Sequence, residues 1–541
     1  MPWSFGGLAL QAQLGFPHWL LAVETEPGRI GPSAAMVILV VLANFLLDIL
    51  IPIYIRIAFY ASTKKGELKV PRTAKSQISF ADWELLRQGL SLEPFLQTIS
   101  DFLEDHEEMI EAVRRDLQRG LKNPKTGRNG LTPSQVLRSF VLKSVKSWDL
   151  RELRERIADG YTLRQFTEFY CQPVPKHHAF NRAFHRLTPK TVKAINELVV
   201  NAAVDLGLED GNRLRVDTTV VQTDIHHPTD NTLLWDVVRV VTRLVGRLKK
   251  AVQKRVRGFH NRKRVARRRM QEIQRMKPTE RHERQTKKYR ELIRVTEEVV
   301  TGARKVVEQT KKVRGKDLAA EMEIPELRKE IEHYCKLGNR VIDQARRRVL
   351  EGEQVPNAEK IYSIFEAHTD LIKRGKVQTP LEFGHKVFLA ESAKGLITQY
   401  EVLHGNPGDD QQVEPSLERH KENFGRAPEL YSSDRGFFSE TNVKSCKQKG
   451  VKVVCIPQRG GKKTAKRKAY EKSPAFKEGQ RFRAGIEGRI SVLFRGRGMK
   501  RCRDEGRKRF ELWVGAAVLA NNLMRIATLL SERTRRKRKA A

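Results

Sequence analysis

The sequence has little cysteine, and its acidic residues fall far short of its basic ones. The 541 residues include five cysteines, an odd and scattered set in which no two form a Cys-x-x-Cys pair. This scarcity argues against a disulfide framework and a structural zinc site, and it is typical of a reducing, cytoplasmic protein. Cys171 lies near His177 and His178, but without a second ligand pair this grouping is only a weak indication of zinc.

The shortage of acidic residues indicates what kind of partner the protein binds. Asp and Glu number 64 against 103 Lys and Arg, which gives a formal net charge of +39. Such an excess is larger than solubility requires and favours a polyanionic partner, of which nucleic acid is the leading candidate. The length corresponds to roughly two to four domains and is sufficient to bury a large core.

Residues 1–70 differ from the rest of the chain. Residues 34–55 form an apolar segment long enough to span a bilayer, but Asn44, Asp48 and Pro52 interrupt it. The region lacks an early basic cluster and a clear cleavage site, so we do not expect a signal peptide. We interpret residues 1–70 as an extension that the folded body does not need, with a membrane anchor as the alternative.

Residues 75–205 show the periodicity of amphipathic helices. Apolar residues recur at intervals of three and four, and Thr132, Ser147 and Thr162 are candidate helix starts. The pattern predicts a helical domain. Gly160 lies where the turn of a helix-turn-helix would fall, so we expect this domain to bind DNA, although helices that merely pack together fit the same pattern.

A run rich in β-branched residues, 213–224, predicts a strand that contains an acid. Asp217 stands where an apolar strand would continue, and a carboxylate held there needs a metal ion or hydrogen-bond donors as partners. Asp217 is therefore the first functional candidate. Asp224 and His226 are further possible metal ligands, although the string that follows also fits a turn and a helix cap.

Residues 232–354 are predicted to be helical and to carry a basic segment. Apolar stripes at 234–248 and 292–307 predict the two arms of a long antiparallel hairpin. Residues 246–270 contain many cations and no acid, so they are expected to bind phosphates through counterion release, unless they form a solvated helix surface. The residues predicted to contact DNA here are Lys254, Arg255, Arg262, Lys263, Arg264, Arg267 and Arg268.

After Pro356 the sequence returns to α/β character. Alternating strands around Gly395 predict a β-hairpin, and a later short strand runs into Asp434. With the strand that carries Asp217, these elements predict a mixed sheet covered by helices.

Two aspartates leave a Mg²⁺ site short of ligands, because this hard ion is held by carboxylates together with water and substrate phosphate. Glu487 is the best third candidate, since Arg483 lies one helical turn before it and could orient the acid or a phosphate. The other downstream candidates are Glu471, Glu478, Glu505 and Glu511.

Five strings carry a resemblance to a known family: VDTTVVQTDIHHPTDNTLLWD, KIYSIFEAHTDLIKRGK, EFGHKV, YSSDRGFFS and RAGIEGRIS. Over roughly residues 80–530 the chain resembles the bacterial insertion-sequence transposases of the DDE class, closest to the ISNCY group. The resemblance implies an α/β, RNase H-like catalytic core at 206–231 and 355–530, interrupted by the helical insertion 232–354. A basic tail, 531–541, would follow.

The resemblance also implies an activity. Asp217, Asp434 and Glu487 would be the catalytic triad and would bind Mg²⁺ or Mn²⁺. The reaction would be cleavage at the terminal inverted repeats of an insertion sequence and strand transfer into target DNA, by an oligomer that pairs the two ends. A non-catalytic basic DNA-binding protein, a membrane-tethered protein and a stand-alone nuclease are the alternatives.

A related signature has Tyr, Arg, Glu and Lys at fixed spacing. Arg483 and Glu487 match it, whereas Gln480 stands in place of Tyr and Phe494 in place of Lys, with Arg495 beside it. The residues near Glu487 that are expected to contact DNA are Arg483, Arg489 and Arg495.

Overall fold

The computed structural model describes residues 91–123, 130–254, 256–276, 281–373 and 381–540. All of these residues belong to one compact unit that spans residues 85–541. The apolar segment 34–55 lies outside the described residues, and so does Arg255. The choice between an extension and a membrane anchor therefore stays a prediction.

Helices precede the sheet in the described chain. They are α1 Pro94–Glu104, α2 Glu107–Gln118, α3 Pro133–Lys146, α4 Leu150–Asp159, α5 Tyr161–Phe166, α6 His177–Arg186 and α7 Pro189–Asp205. Thr132 caps α3 as expected, in a reciprocal capping box with Gln135. Ser147 was expected to begin a helix, but it ends α3 in the left-handed region at φ 58°, and Asp149 caps α4 instead.

The helix-turn-helix interpretation depends on the chain around Gly160. This residue joins α4 directly to α5, a helix of six residues. A helix-turn-helix needs a turn of about three or four residues between its helices. The structure has no such turn at Gly160, so it gives no support to that motif there.

One mixed sheet forms the centre of the described chain. Its strands are β1 Arg213–Thr223, β2 Asp370–Lys373, β3 Leu381–Ser392, β4 Ile397–Val402, β5 Leu430–Ser432, β6 Val453–Cys455 and β7 Arg501–Cys502. β1 pairs with β3 in antiparallel and with β5 and β7 in parallel orientation. β2 and β4 are antiparallel to β3, and β6 is parallel to β5. The prediction of a mixed α/β sheet is confirmed.

The insertion between β1 and β2 has more helices than the two-armed hairpin that was expected. Its helices are α8 Asp230–Ala251, α9 Lys263–Arg275, α10 Arg281–Thr310 and α11 Leu318–Ala345. Leu234, Val299 and Ile331, from three of these helices, are buried in one apolar core. The hairpin prediction was wrong because α11 supplies a third long apolar face that packs on α8 and α10.

The remaining helices pack around the sheet. They are α12 Val413–Phe424, α13 Glu440–Gln448, α14 Ala465–Lys472, α15 Pro474–Ser491 and α16 Arg507–Ala540. α16 has two apolar faces: Leu519 and Leu523 pack with the N-terminal helices, whereas Val514 and Val518 pack on the sheet. It therefore joins the N-terminal helices to the sheet, and the expected basic tail continues α16 through residue 540.

α16 is also the described helix that is long and apolar enough to cross a membrane by length and composition. Of its apolar window, 67% is buried inside the protein. That burial is expected for the core helix of a globular fold.

Candidate active site

β1 and β5 bring two aspartates to the same part of the sheet. The strands are parallel neighbours, and Arg215 of β1 is paired with Ser432 of β5. Two residues further along the chain from this pair stand Asp217 and Asp434. The pairing ends at this pair, and Asp434 lies two residues past the end of β5, so the two strands direct both aspartates to the same region. Both line one cavity of about 970 Å³.

The turn after β5 holds Asp434 in place. Its Oδ1 accepts a hydrogen bond of 2.8 Å from the backbone N–H of Gly436. A Cβ atom at Gly436 would lie 3.0 Å from Oδ1 of Asp434 and 3.0 Å from Oδ2 of Asp409. Because Gly436 has no side chain, two carboxylates can lie close to its backbone, and a larger residue there would crowd them.

The third acid, Glu487, lies on α15, and Arg483 of the same helix connects it to Asp217. Nη2 of Arg483 lies 3.0 Å from Oδ2 of Asp217, and Nη1 lies 3.3 Å from Oε1 of Glu487. The Asp217 side chain is 14% exposed and that of Glu487 is 68% exposed. Arg483 and Glu487 line the same cavity as Asp217 and Asp434. The structure thus brings together the three acids and the arginine that the sequence singled out.

A fourth carboxylate, which sequence reasoning missed, lies in this cavity. Oδ1 of Asp409 accepts hydrogen bonds from the Thr218 hydroxyl at 2.9 Å and from Lys386 Nζ at 3.2 Å. Lys386 also donates to the carbonyl oxygen of Pro407 at 2.8 Å. Lys386 offered a signal, because a lysine inside the apolar strand β3 needs a partner just as Asp217 does.

The donor set of the cavity fits a hard divalent cation. Asp217, Asp409, Asp434 and Glu487 offer only carboxylate oxygens, the ligands that Mg²⁺ prefers. Within the described ranges, no three acidic, histidine or cysteine side chains stand close enough together to hold a metal ion. Arg483 contacts both Asp217 and Glu487 and offsets one of their two negative charges.

The other candidate acids are engaged elsewhere. Glu505 is exposed, and neither it nor the other three alternative glutamates line the cavity. Three of these glutamates have basic partners within 3.0 Å: Glu471 with Arg467, Glu478 with Arg213, and Glu511 with Arg507. Among the glutamates weighed as the third acid, only Glu487 reaches the cavity of the described structure.

The further metal-ligand candidates lie away from this cavity. Nε2 of His226 is 2.7 Å from Oδ2 of Asp236, and this hydrogen bond raises the pKa of His226. Asp224 lies 3.5 Å from Arg501. The rings of His177 and His178 pack at 3.9 Å. The structure brings none of these residues to Asp217.

The basic residues expected to contact DNA have different surroundings. Arg489 is 19% exposed and donates to Glu391 at 2.8 Å and to Asn521 at 3.1 Å. Its charge is neutralised inside the protein, so the structure gives its DNA-binding assignment no support. Arg495 is exposed and lies beside a second cavity.

The cations of the insertion are exposed but partly neutralised. Arg262 pairs with Glu298 at 3.1 Å, and Arg268 pairs with Glu272 at 3.0 Å. The other exposed cations predicted to contact DNA in this region are Lys254, Lys263, Arg264 and Arg267. The acids of α9 and α10 thus offset part of a segment that is free of acid in the sequence.

Two family models match separate parts of the chain. Residues 85–186 match a transposase domain (DUF772), and residues 441–527 match a transposase DDE domain. The second match contains Arg483 and Glu487, whereas Asp217 and Asp434 precede it. Comparison with curated proteins and with solved structures gave no match.

The two matches identify the protein as a DNA transposase. The second match supports a DDE transposase, a class of enzymes that act on DNA and in general require a divalent metal ion. The non-catalytic DNA-binding alternative is not favoured.

Proposed function

We propose that the protein cuts and joins DNA at the ends of an insertion sequence, with Asp217, Asp434 and Glu487 as its catalytic triad. The proposal is supported above all by Asp217 and Asp434, which come from neighbouring parallel strands and line one cavity. Arg483 links the third acid to this pair through its contacts with Asp217 and Glu487.

We also propose an RNase H-like fold for the core and membership of the ISNCY group. The strand path β4-β3-β1-β5-β6 supports the fold, since it combines antiparallel and parallel neighbours around the strand that carries Asp217. The substrates would be duplexes that carry terminal inverted repeats and a target duplex. At least two copies of the chain would pair the two ends, in the cytoplasm and at the nucleoid.

The proposed reaction is an in-line displacement at phosphorus. An oxygen of water or of a DNA 3′-hydroxyl forms the new P–O bond, and the bond to the leaving oxygen breaks. Asp217, Asp434 and Glu487 would hold Mg²⁺ or Mn²⁺, which when bound supplies Lewis-acid stabilisation of the charge that develops on oxygen. Arg483 borders the same space, and because a guanidinium pairs well with phosphate, we assign it the role of orienting the scissile phosphate.

The test is cleavage and joining of a labelled inverted-repeat duplex, with and without Mg²⁺. Asp217→Asn, Asp434→Asn and Glu487→Gln are each expected to lower cleavage by about 10²-fold or more, because each removes a charge that stabilises the transition state. Retention of the duplex in a gel-shift assay should stay nearly unchanged.

Glu478→Gln is the matched control. Glu478 lies on the same helix, is 62% exposed and pairs with Arg213 outside the cavity, so its removal should leave cleavage intact. Cleavage that survives any of the three triad changes would refute the triad. Nicks without joined products would instead indicate a nuclease.

A further inference from the structure

A second cavity, of about 800 Å³, lies between the N-terminal helices and the chain that follows α15. We call it the basic groove. One wall consists of residues from α3, α4 and α6, such as Lys143 and Arg151, and the other of residues from 494–516, such as Lys500 and Arg503. Eight lysine and arginine residues line the groove, against two aspartates. Its surface is therefore strongly cationic.

Several cations of the groove form no close ion pair with an acid. Among the described residues, Arg151, Arg495, Lys500 and Arg503 have no carboxylate oxygen within 4.0 Å. All four side chains belong to exposed residues. Asp149 offsets part of the charge of Arg151 and Arg503. Eight cations against two aspartates still leave a concave surface with an excess of positive charge, which favours an anionic ligand.

The groove borders the candidate active site at one residue. Phe494 lines both cavities. It lies in the π-helical turn Val492–Gly496, which directly follows α15 and thus Glu487. Beside it, Arg495 lines the groove. A chain of phosphates that leaves the candidate active site past Phe494 would enter the basic groove.

Contacts between the two walls hold the groove in shape. Arg497 donates to the carbonyl oxygen of Val145 in the opposite wall at 2.7 Å. Within its own wall, the Trp513 indole donates to the carbonyl oxygen of Gly498 at 3.2 Å. Lys143 Nζ lies 4.5 Å from the centre of the Trp513 ring, a cation–π contact between the walls. A preformed surface loses little conformational entropy when a ligand binds.

We propose that the basic groove binds the phosphodiester backbone of the DNA segment next to the reacting phosphate. The N-terminal helices would then hold DNA as one wall of a groove that they share with the chain after α15. The proposal rests on the proposed function for the position of the reacting phosphate. The groove chemistry itself requires only a polyanion with regularly spaced charges.

The first experiment measures affinity for an inverted-repeat duplex over a series of salt concentrations, without divalent ions. The full-length double variant Arg151→Gln/Arg503→Gln removes one exposed cation from each wall. If each cation neutralises one phosphate, the slope of log affinity against log salt should fall in magnitude by about 1.8. Arg247→Gln/Arg347→Gln is the control of equal charge change, because these arginines already pair with Glu323 and Glu353.

The second experiment maps the contact without any groove substitution. The Asp217→Asn protein is acetylated with and without the duplex, and the lysines are quantified by mass spectrometry. Lys500 is expected to be protected several-fold by DNA, whereas Lys311, on the insertion surface and paired with Glu308, should not be.

The two experiments test the groove proposal independently of the proposed catalytic triad. An unchanged salt slope together with an unprotected Lys500 would overturn the groove while leaving the triad intact. Cleavage by the Asp217→Asn protein would refute the triad, whereas protection of Lys500 would still support the groove. Protection by an acidic peptide and not by DNA would show that the partner is a protein, and would also overturn the proposal.

Discussion

Glu391→Gln is expected to be among the most destabilising single changes near the site. Glu391 lies on β3 opposite Arg215 of β1 and has no exposed side-chain surface. Arg215 contacts its carboxylate at 2.7 Å and also donates to the carbonyl oxygen of Phe482 in α15. Arg489 of α15 contacts the other carboxylate oxygen at 2.8 Å. One buried acid therefore joins two strands to the helix that carries Glu487.

The expected loss of unfolding free energy follows from the two guanidinium groups that lose their carboxylate partner. Arg215 is 13% and Arg489 is 19% exposed, so neither charge can be fully hydrated after Glu391 is neutralised. Breaking a buried ion pair by removing one partner costs about 3–5 kcal/mol. We expect a decrease of that size in the free energy of unfolding, against a typical total of about 5–15 kcal/mol.

Urea unfolding followed by tryptophan fluorescence measures this loss. Glu401→Gln is the control, because Glu401 is 36% exposed and pairs at the surface with Lys193 and Arg419. An exposed pair contributes about 0–1 kcal/mol, so the control should remain close to the wild type. If Glu391→Gln is no less stable than Glu401→Gln, the buried network does not hold the helix as described.

Two further predictions concern the fourth carboxylate and a buried histidine. Asp409→Asn should lower cleavage of the inverted-repeat duplex by about tenfold or more with little change in gel-shift affinity. The reason is that the substitution weakens the hydrogen-bond acceptor of Lys386 and Thr218 beside Asp217. Unchanged cleavage would exclude a role for Asp409. Burial lowers the pKa of His420 to about 4. Between this value and the ordinary pKa of about 6.5, the unfolded chain binds more protons than the folded protein. The folded state therefore loses stability as the pH falls through this range. Between pH 7 and pH 5, His420→Leu should lose about 2 kcal/mol less unfolding free energy than the wild type, and equal losses in urea unfolding would contradict the assignment.

The residues whose chemistry is local could be predicted from the sequence. Asp217 stands out in a strand of β-branched residues, and Asp434 directly follows a short strand. Arg483 and Glu487 are one turn apart on a helix, which makes their contact predictable from spacing alone. The assignment of these acids to catalysis came from the resemblance, and it stays a proposal.

Residues that depend on the packing of distant elements could not be predicted in this way. Thr218 and Asp409 are 191 positions apart, and their contact depends on how the segment after β4 packs beside β1. The partners of Arg489 also come from other elements, so its expected contact with DNA could not be weighed against its partly buried position from the sequence. The acids that offset Arg262 and Arg268 could not be assigned without knowing how α9 packs on α10.

The distribution of charge explains why two separated parts of the chain serve one function. α16 packs on the N-terminal helices with one face and on the sheet with the other, so it fixes the two matched regions against each other. Five acids line the cavity where a metal ion and the reacting phosphate would be held, and eight cations line the neighbouring groove. The two cavities meet at Phe494, so a polyanion bound in the groove can extend to the acids. A large net positive charge by itself would bind DNA anywhere on the surface. A shared boundary between acids and cations would bring the DNA backbone to the catalytic residues.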